Sequence, residues 1–110
     1  MKFSILQPTL KQALTLAGAH IGKGGTFGTV AIEATESNGL RISARDQDSG
    51  VNCIMPAVVA RPGGILLPEK LLAELVGNLP PERVDFELDE RTSRVSISCH
   101  RSVATIPGVL

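Results

Sequence analysis

The chain has 110 residues, of which 43% are hydrophobic and 20% charged, so it fits one globular domain with a single modest core. Eleven basic and eleven acidic residues cancel, and any contact with DNA must therefore come from local placement of charge. Only 3% of the residues are aromatic, which removes the stacking platforms usual in proteins that bind single strands.

The first half of the chain predicts a strand, a helix and a hairpin. The strand is Met1–Leu6, the helix is Pro8–Ile21, and the hairpin strands are Thr29–Thr35 and Gly39–Ala44. Asn38-Gly39 is a strong hairpin turn. The helix carries one apolar stripe, made of Leu10, Ala13, Leu14, Ala17 and Ile21.

The segment between the two halves is a longer apolar stretch, Val51–Val59, interrupted by Pro56. Because proline cannot donate a ladder hydrogen bond, we expect an edge strand or a bulge here. Arg61-Pro62-Gly63-Gly64 then breaks the chain.

The second half repeats the pattern of the first. The strand Gly64–Leu67 leads into the helix Pro68–Leu79, and the hairpin strands Arg83–Leu88 and Ser93–Cys99 follow. The predicted buried side of this helix consists of Leu71, Leu72, Leu75, Val76 and Leu79. Two helices on one side of antiparallel strands indicate an α+β domain built from a duplicated unit, and such a unit is more often a building block than a catalytic pocket.

Candidate chemical sites are weak. Asp85, Glu87 and Asp89 share one strand face, which a metal-dependent nuclease could use but which is far more often a solvated face. Cys99 and His100 are neighbours on a strand and point to opposite faces, so a buried thiol and an exposed imidazole are expected. We expect no cofactor and no metal. A calcium loop from Asp46 is rejected because Gly50, Val51 and Ala57 occupy its later ligand and glycine positions.

Cys53 and Cys99 lack CxxC spacing, which favours a reducing, cytoplasmic setting. No run approaches the roughly 18–20 apolar residues of a membrane span.

Several segments together resemble the bacterial sliding clamp, the beta subunit of DNA polymerase III, in its N-terminal domain. Their order and spacing are specific and cover essentially the whole chain: Met1-Lys2-Phe3-Ser4 with the first helix, Ala44–Asp48, Ile65–Leu72 followed by Leu79-Pro80, Arg101-Ser102, and Thr105-Ile106-Pro107. The chain also departs from the family. Gly24 stands where the family has a DNA-contacting arginine, Gly25 and Gly28 replace loop prolines, and the last strand looks about three residues short.

The resemblance implies a non-enzymatic processivity factor. Clamp domains line a hole with helices and form the outer wall with sheets, and the closed ring encircles duplex DNA and tethers the replicative polymerase after a clamp loader acts. It implies that Lys11, Lys23 and Lys70 face DNA, although each could be an ordinary surface lysine, and that the strand ending at His100 and Arg101 is the edge that meets a neighbouring domain.

The same resemblance implies that residues 1–110 form one clamp domain, the first of three in a full-length clamp. We expect either a fragment or a self-associating chain of six copies, and favour the fragment. The pocket for polymerase peptides lies in later domains of the family. A stand-alone interaction module with a clamp-like fold, and a metal-dependent nucleic-acid enzyme, are the alternatives.

Overall fold

The computed structural model describes residues 1–21, 28–37, 39–45 and 50–110. Its elements in chain order are β1 (Lys2–Leu6), α1 (Gln7–Ile21), β2 (Thr29–Thr35), β3 (Gly39–Arg45), β4 (Gly50–Met55), β5 (Val58–Arg61), β6 (Gly63–Pro68), α2 (Glu69–Gly77), β7 (Arg83–Asp89), β8 (Arg94–Cys99) and β9 (Ser102–Pro107). No helix within these ranges is long and apolar enough to cross a membrane.

The strands form two antiparallel sheets. The first sheet has the order β5-β1-β7-β8-β9, and the second has the order β4-β3-β2-β6. Apart from β5, each half of the described chain contains a strand, a helix and three further strands, and its leading strand joins the sheet of the other half. β1 pairs with β7, with Phe3 opposite Phe86, while β6 pairs with β2, with Ile65 opposite Ile32. The two halves are interlocked by these exchanged strands.

The predicted α+β class and the duplicated unit are confirmed, with one further strand beside the hairpin in each sheet and β5 in addition in the first half. β4 and β9 are the strands beside the hairpins, and each lies at the outer edge of its sheet. Residues 102–107, the segment that looked short, form a complete strand that pairs with β8 along its length.

The apolar stretch around Pro56 is divided between the two sheets. β4 is the edge of the second sheet and β5 is the edge of the first, with Pro56 and Ala57 between them. The pairing of β5 with β1 also shifts register between Lys2 and Phe3. The expected edge and irregularity are both present, because a residue without an N–H is tolerated where the chain leaves one ladder for another.

The core is aliphatic and continuous across both sheets and both helices. On β2 and β7 the buried side chains alternate with exposed ones, as a sheet with one buried face requires. Phe3 and Phe86 supply the aromatic contact, with ring centroids 4.7 Å apart and planes inclined by 12°. Cross-strand aromatic pairs of this kind stabilise a sheet beyond their buried area.

The helices bury most of the side chains that the sequence predicts. Leu10, Ala13, Leu14 and Ala17 of α1 are buried, as are Leu72 and Val76 of α2, whereas Leu75 and Leu79 are partly buried. The prediction for Leu71 is wrong, since 42% of this side chain is exposed. A nine-residue helix presents only a narrow buried stripe, and Leu71 lies about 100° around the axis from Leu72, outside that stripe.

Candidate nucleic-acid interface

The two helices lie side by side and run in opposite directions. Gln7, in the first turn of α1, reaches Val76 near the end of α2, and Gly18, near the end of α1, faces Glu69 at the start of α2. Between them lies a shallow groove of about 200 Å³, lined by Lys11, Leu14, Thr15, Gly18, Glu69 and Ala73. This paired helical surface is the candidate interface.

A buried amide fixes one end of the helix pair. The Gln7 side chain is only 4% exposed, and its Nε2 donates to the carbonyl oxygen of Val76 at 2.8 Å. The backbone N–H of Gln7 donates to the Glu82 carbonyl at 2.9 Å. Nothing in the sequence pattern distinguishes this glutamine from the exposed Gln12, because its role depends on the contact between α1 and α2.

The other end of the pair depends on a residue without a side chain. A Cβ added to Gly18 would lie 2.6 Å from Oε1 of Glu69, so the glycine leaves space for that carboxylate between the helices. The Glu69 backbone N–H donates to the Gly28 carbonyl at 2.8 Å, which holds the start of α2 against the start of β2.

Two of the three predicted DNA-facing lysines lie on this surface. Lys11 is exposed and lines the groove from α1. Lys70 is exposed on α2, two positions before the buried Leu72 and so about 200° around the helix from it. Within the described ranges neither ammonium has an ion-pair partner. Lys23 lies outside the described residues.

Two carboxylates share the surface with these lysines, and the sequence reasoning did not assign them a role. Glu69 is partly buried in the groove, and Glu74 is exposed one helical turn after Lys70. Helical spacing could have predicted that Glu74 lies beside Lys70, because residues four apart in a helix lie on the same face. The described part of the helical surface therefore carries balanced charge.

His100 and Arg101 form the turn that joins β8 to β9, where His100 has a left-handed φ of 58°. Its Nε2 lies 2.9 Å from Oε2 of Glu82. The strand before this turn was expected to be the sheet edge, and that placement is wrong. β8 is paired on both sides, and the free edge is β9, with Val103 71% exposed. The interface role of His100 and Arg101 stays a prediction.

The strand carboxylates considered for a nuclease are engaged elsewhere. Asp85 accepts a short hydrogen bond from Ser4 and lies 3.2 Å from Nε of Arg83. Glu87 lies 3.5 Å from the charged nitrogens of both Lys2 and Arg61. Within the described ranges no cluster of His, Cys, Asp or Glu is suited to hold a metal ion. The geometry thus gives no support to the metal-dependent alternative.

Cys99 is buried and His100 exposed, as predicted. Burial raises the pKa of the Cys99 thiol, and the nearby carboxylates of Glu82 and Asp85 raise it further. The thiol therefore stays protonated at neutral pH, which is unsuited to nucleophilic chemistry.

The fold is that of the DNA-clamp domain seen in solved bacterial beta subunits. The structure superposes on the DNA polymerase sliding clamp of Bacillus subtilis with a TM-score of 0.91 at 20% identity, covering 99% of this chain and 31% of the other. The beta subunit of Streptococcus pyogenes gives 0.90 at 21% identity, covering 100% and 30%. The Helicobacter pylori beta clamp bound to DNA ligase peptide gives 0.90 at 18% identity, covering 100% and 31%.

Sequence comparison shows the family to which the chain belongs. The family model for the N-terminal domain of the DNA polymerase III beta subunit matches residues 1–109, and the chain belongs to this family. The beta sliding clamp of Synechocystis sp. is 32% identical over 93 residues, which are 81% of this chain and 24% of that protein. The chain thus spans about a quarter of the length of this curated relative.

Proposed function

We propose that this chain is one domain of a sliding clamp, a non-catalytic processivity factor whose closed ring encircles duplex DNA and tethers the replicative polymerase. The observation that carries the proposal is the family match over residues 1–109. The paired helices support it, because they present exposed lysines and, among their own residues, no aromatic side chain, which suits contact with phosphates and not with bases.

In this proposal the helical surface faces the DNA and the sheets form the outer wall. Lys11 and Lys70 approach phosphates in a sequence-independent way, which is the electrostatic contribution expected of a protein that moves along a duplex. Lys23 is proposed as a third phosphate contact, in the place of the arginine that the family has at the position of Gly24. Clamp loader and polymerase engage the complete ring.

Ring closure is proposed to use the exposed edge of the first sheet. Among the described strands β9 pairs with β8 alone, so we propose that its second row of backbone groups is available to a neighbouring domain. His100 and Arg101 stand at the beginning of this edge and would contact the neighbour there. β4 offers the corresponding edge of the second sheet.

Residues 1–110 are proposed to supply one of three domains per clamp chain. We expect the isolated chain to be a monomer by light scattering, because a ring of single domains would need six copies to close. A stable hexamer would contradict this. The proposed setting is the cytoplasm, where the free thiols of Cys53 and Cys99 remain reduced.

The test of DNA contact compares three substitutions that each remove one positive charge, together with the double variant of the two lysines. Lys11→Gln and Lys70→Gln remove cations from the helical surface, and Arg91→Gln removes one from the β7–β8 turn. Affinity for a short labelled duplex is followed by fluorescence anisotropy between about 50 and 200 mM salt.

We expect the lysine double variant to bind about threefold to tenfold more weakly than the unchanged chain, since an exposed charge contributes roughly 0.2–1 kcal/mol. The slope of log affinity against log salt should fall by about 0.9 for each lost phosphate contact. Arg91→Gln should have a smaller effect on both quantities than either lysine substitution alone. If the lysine variants bind like Arg91→Gln, the helical surface is not the DNA-facing surface.

A further inference from the structure

The helical surface carries carboxylates at positions where a site that binds phosphate tightly would have cationic side chains. We propose that Glu69 and Glu74 limit the affinity of this surface for duplex DNA and so keep its contact with phosphates loose enough for sliding. This inference rests on the proposed function and assigns a role to two residues that the lysines alone do not explain.

The backbone of Glu69 is fixed at the start of α2, and Gly18 leaves room for its side chain between the helices. The absence of a side chain at Gly18 allows the carboxylate to lie between the helices, where Oε1 would be 2.6 Å from an added Cβ. The hydrogen bond from its N–H to the Gly28 carbonyl fixes the backbone from which the side chain extends. Its negative charge is therefore presented in the same groove that Lys11 lines.

Neither lysine neutralises these carboxylates through a direct ion pair. The ion pairs found within the described ranges lie on the sheets and their turns, and none involves Glu69 or Glu74. Lys70 and Glu74 are four residues apart, so their Cβ atoms lie about 5–6 Å from each other on one face of α2. A phosphate drawn to Lys70 is thus within the field of Glu74.

The range of that field decides its effect. Salt screens charges over about 10 Å at 0.1 M, so a phosphate at either lysine remains within reach of a carboxylate on the same helix pair. The two lysines attract the phosphate and the two carboxylates repel it, so the attraction is weaker than the lysines alone would give. Weak attraction is sufficient if a closed ring retains the DNA by topology, and it leaves the ring free to move.

The experiment uses single substitutions that each remove one negative charge. Glu69→Gln and Glu74→Gln alter the helical surface, and Glu90→Gln, in the exposed β7–β8 turn, is the matched control. Each variant is titrated with the same labelled duplex at several salt concentrations, beside Lys11→Gln and Lys70→Gln. Thermal melts establish that each variant is folded. This control is needed because Glu69 lies in the first turn of α2, where a negative charge stabilises the helix.

We expect Glu69→Gln and Glu74→Gln each to tighten binding about twofold to fivefold beyond Glu90→Gln, from the same range of exposed-charge energies. The inference is overturned if the lysine variants weaken binding while both glutamate variants bind like Glu90→Gln. If the lysine variants also leave binding unchanged, the proposed DNA-facing surface itself is wrong. The two failures are therefore distinguishable.

Discussion

Replacing Gly18 by alanine tests how firmly Glu69 is held between the helices. The new Cβ would lie 2.6 Å from Oε1 and 3.2 Å from Cδ of Glu69, so the carboxylate must move. Because it is the far end of a flexible, partly exposed side chain, its displacement should cost about 0.5 kcal/mol, the lower end of the range for a non-ideal rotamer. Alanine gains about 1 kcal/mol over glycine inside a helix. We therefore expect the Gly18→Ala variant to be more stable by about 0.5 kcal/mol, with the sign set by helix propensity.

Gly108→Ala is the matched control, because the atoms that its Cβ would meet cannot move aside. They are Cδ1 and Cγ1 of Ile65, at 2.5 and 2.8 Å, and the carbonyl oxygen of Leu66, at 2.8 Å. Ile65 is 4% exposed, and the Leu66 carbonyl accepts a hydrogen bond from Val109. Crowding of this kind destabilises by about 1–3 kcal/mol.

The free energies of unfolding are measured by urea denaturation, with the slope compared between variants to verify that the same surface is exposed. Gly18→Ala should have a higher midpoint than the unchanged chain, and Gly108→Ala a lower one. A loss of stability in Gly18→Ala as large as that in Gly108→Ala would refute the reasoning, because it would mean that the Glu69 carboxylate is fixed in its place.

Four further predictions concern the core and its polar groups. Gln7→Met should destabilise by about 1–2 kcal/mol in urea, since it removes the donor to the Val76 carbonyl; an unchanged midpoint would contradict this. Cys53 should react with a thiol reagent in the native state and Cys99 only on unfolding, because Cys99 is 1% exposed. Burial raises the pKa of the Cys99 thiol in the folded chain, so the thiol of the unfolded chain ionises at a lower pH. The free energy of unfolding should therefore fall above about pH 8.5, and it should fall less steeply in Cys99→Ala. Phe86→Ala should lower the free energy of unfolding by about 3–5 kcal/mol, since it removes one ring of the stacked pair. A decrease of less than about 1 kcal/mol would show that the stacked pair is not part of the core.

The pattern of neighbouring residues predicted the helices and strands of this fold better than it predicted which strands pair with each other. The alternation in β2 and β7 and the stripe on α1 from Leu10 to Ala17 are properties of neighbouring residues, and both were confirmed; the side chain of Ile21 lies outside the described residues. The exchange of β1 and β6 between the halves was not predicted, because sheet partners are selected by packing between distant segments. For the same reason the sequence did not reveal that β9, and not β8, forms the sheet edge.

The candidate interface was predictable only in part. The lysines could be placed on helices because their positions follow from helical periodicity. The groove could not be predicted, since it requires Gly18 to face Glu69 across two helices that are some fifty residues apart in the chain. Gln7 was indistinguishable from a surface glutamine for the same reason, because its partner Val76 is on the other helix. Contacts between the two halves determine both features.

The central claim, that the paired helices face duplex DNA, is tested most directly by locating the duplex on the chain. Amide chemical shifts in NMR spectra, recorded as a short duplex is added, report which residues the DNA approaches. We predict that the largest changes fall on the exposed faces of α1 and α2, around Lys11, Thr15 and Lys70, with little change on the outer face of β8 at Ser96. Changes centred on Ser96 and its neighbouring strands, with the helices unaffected, would contradict the proposal.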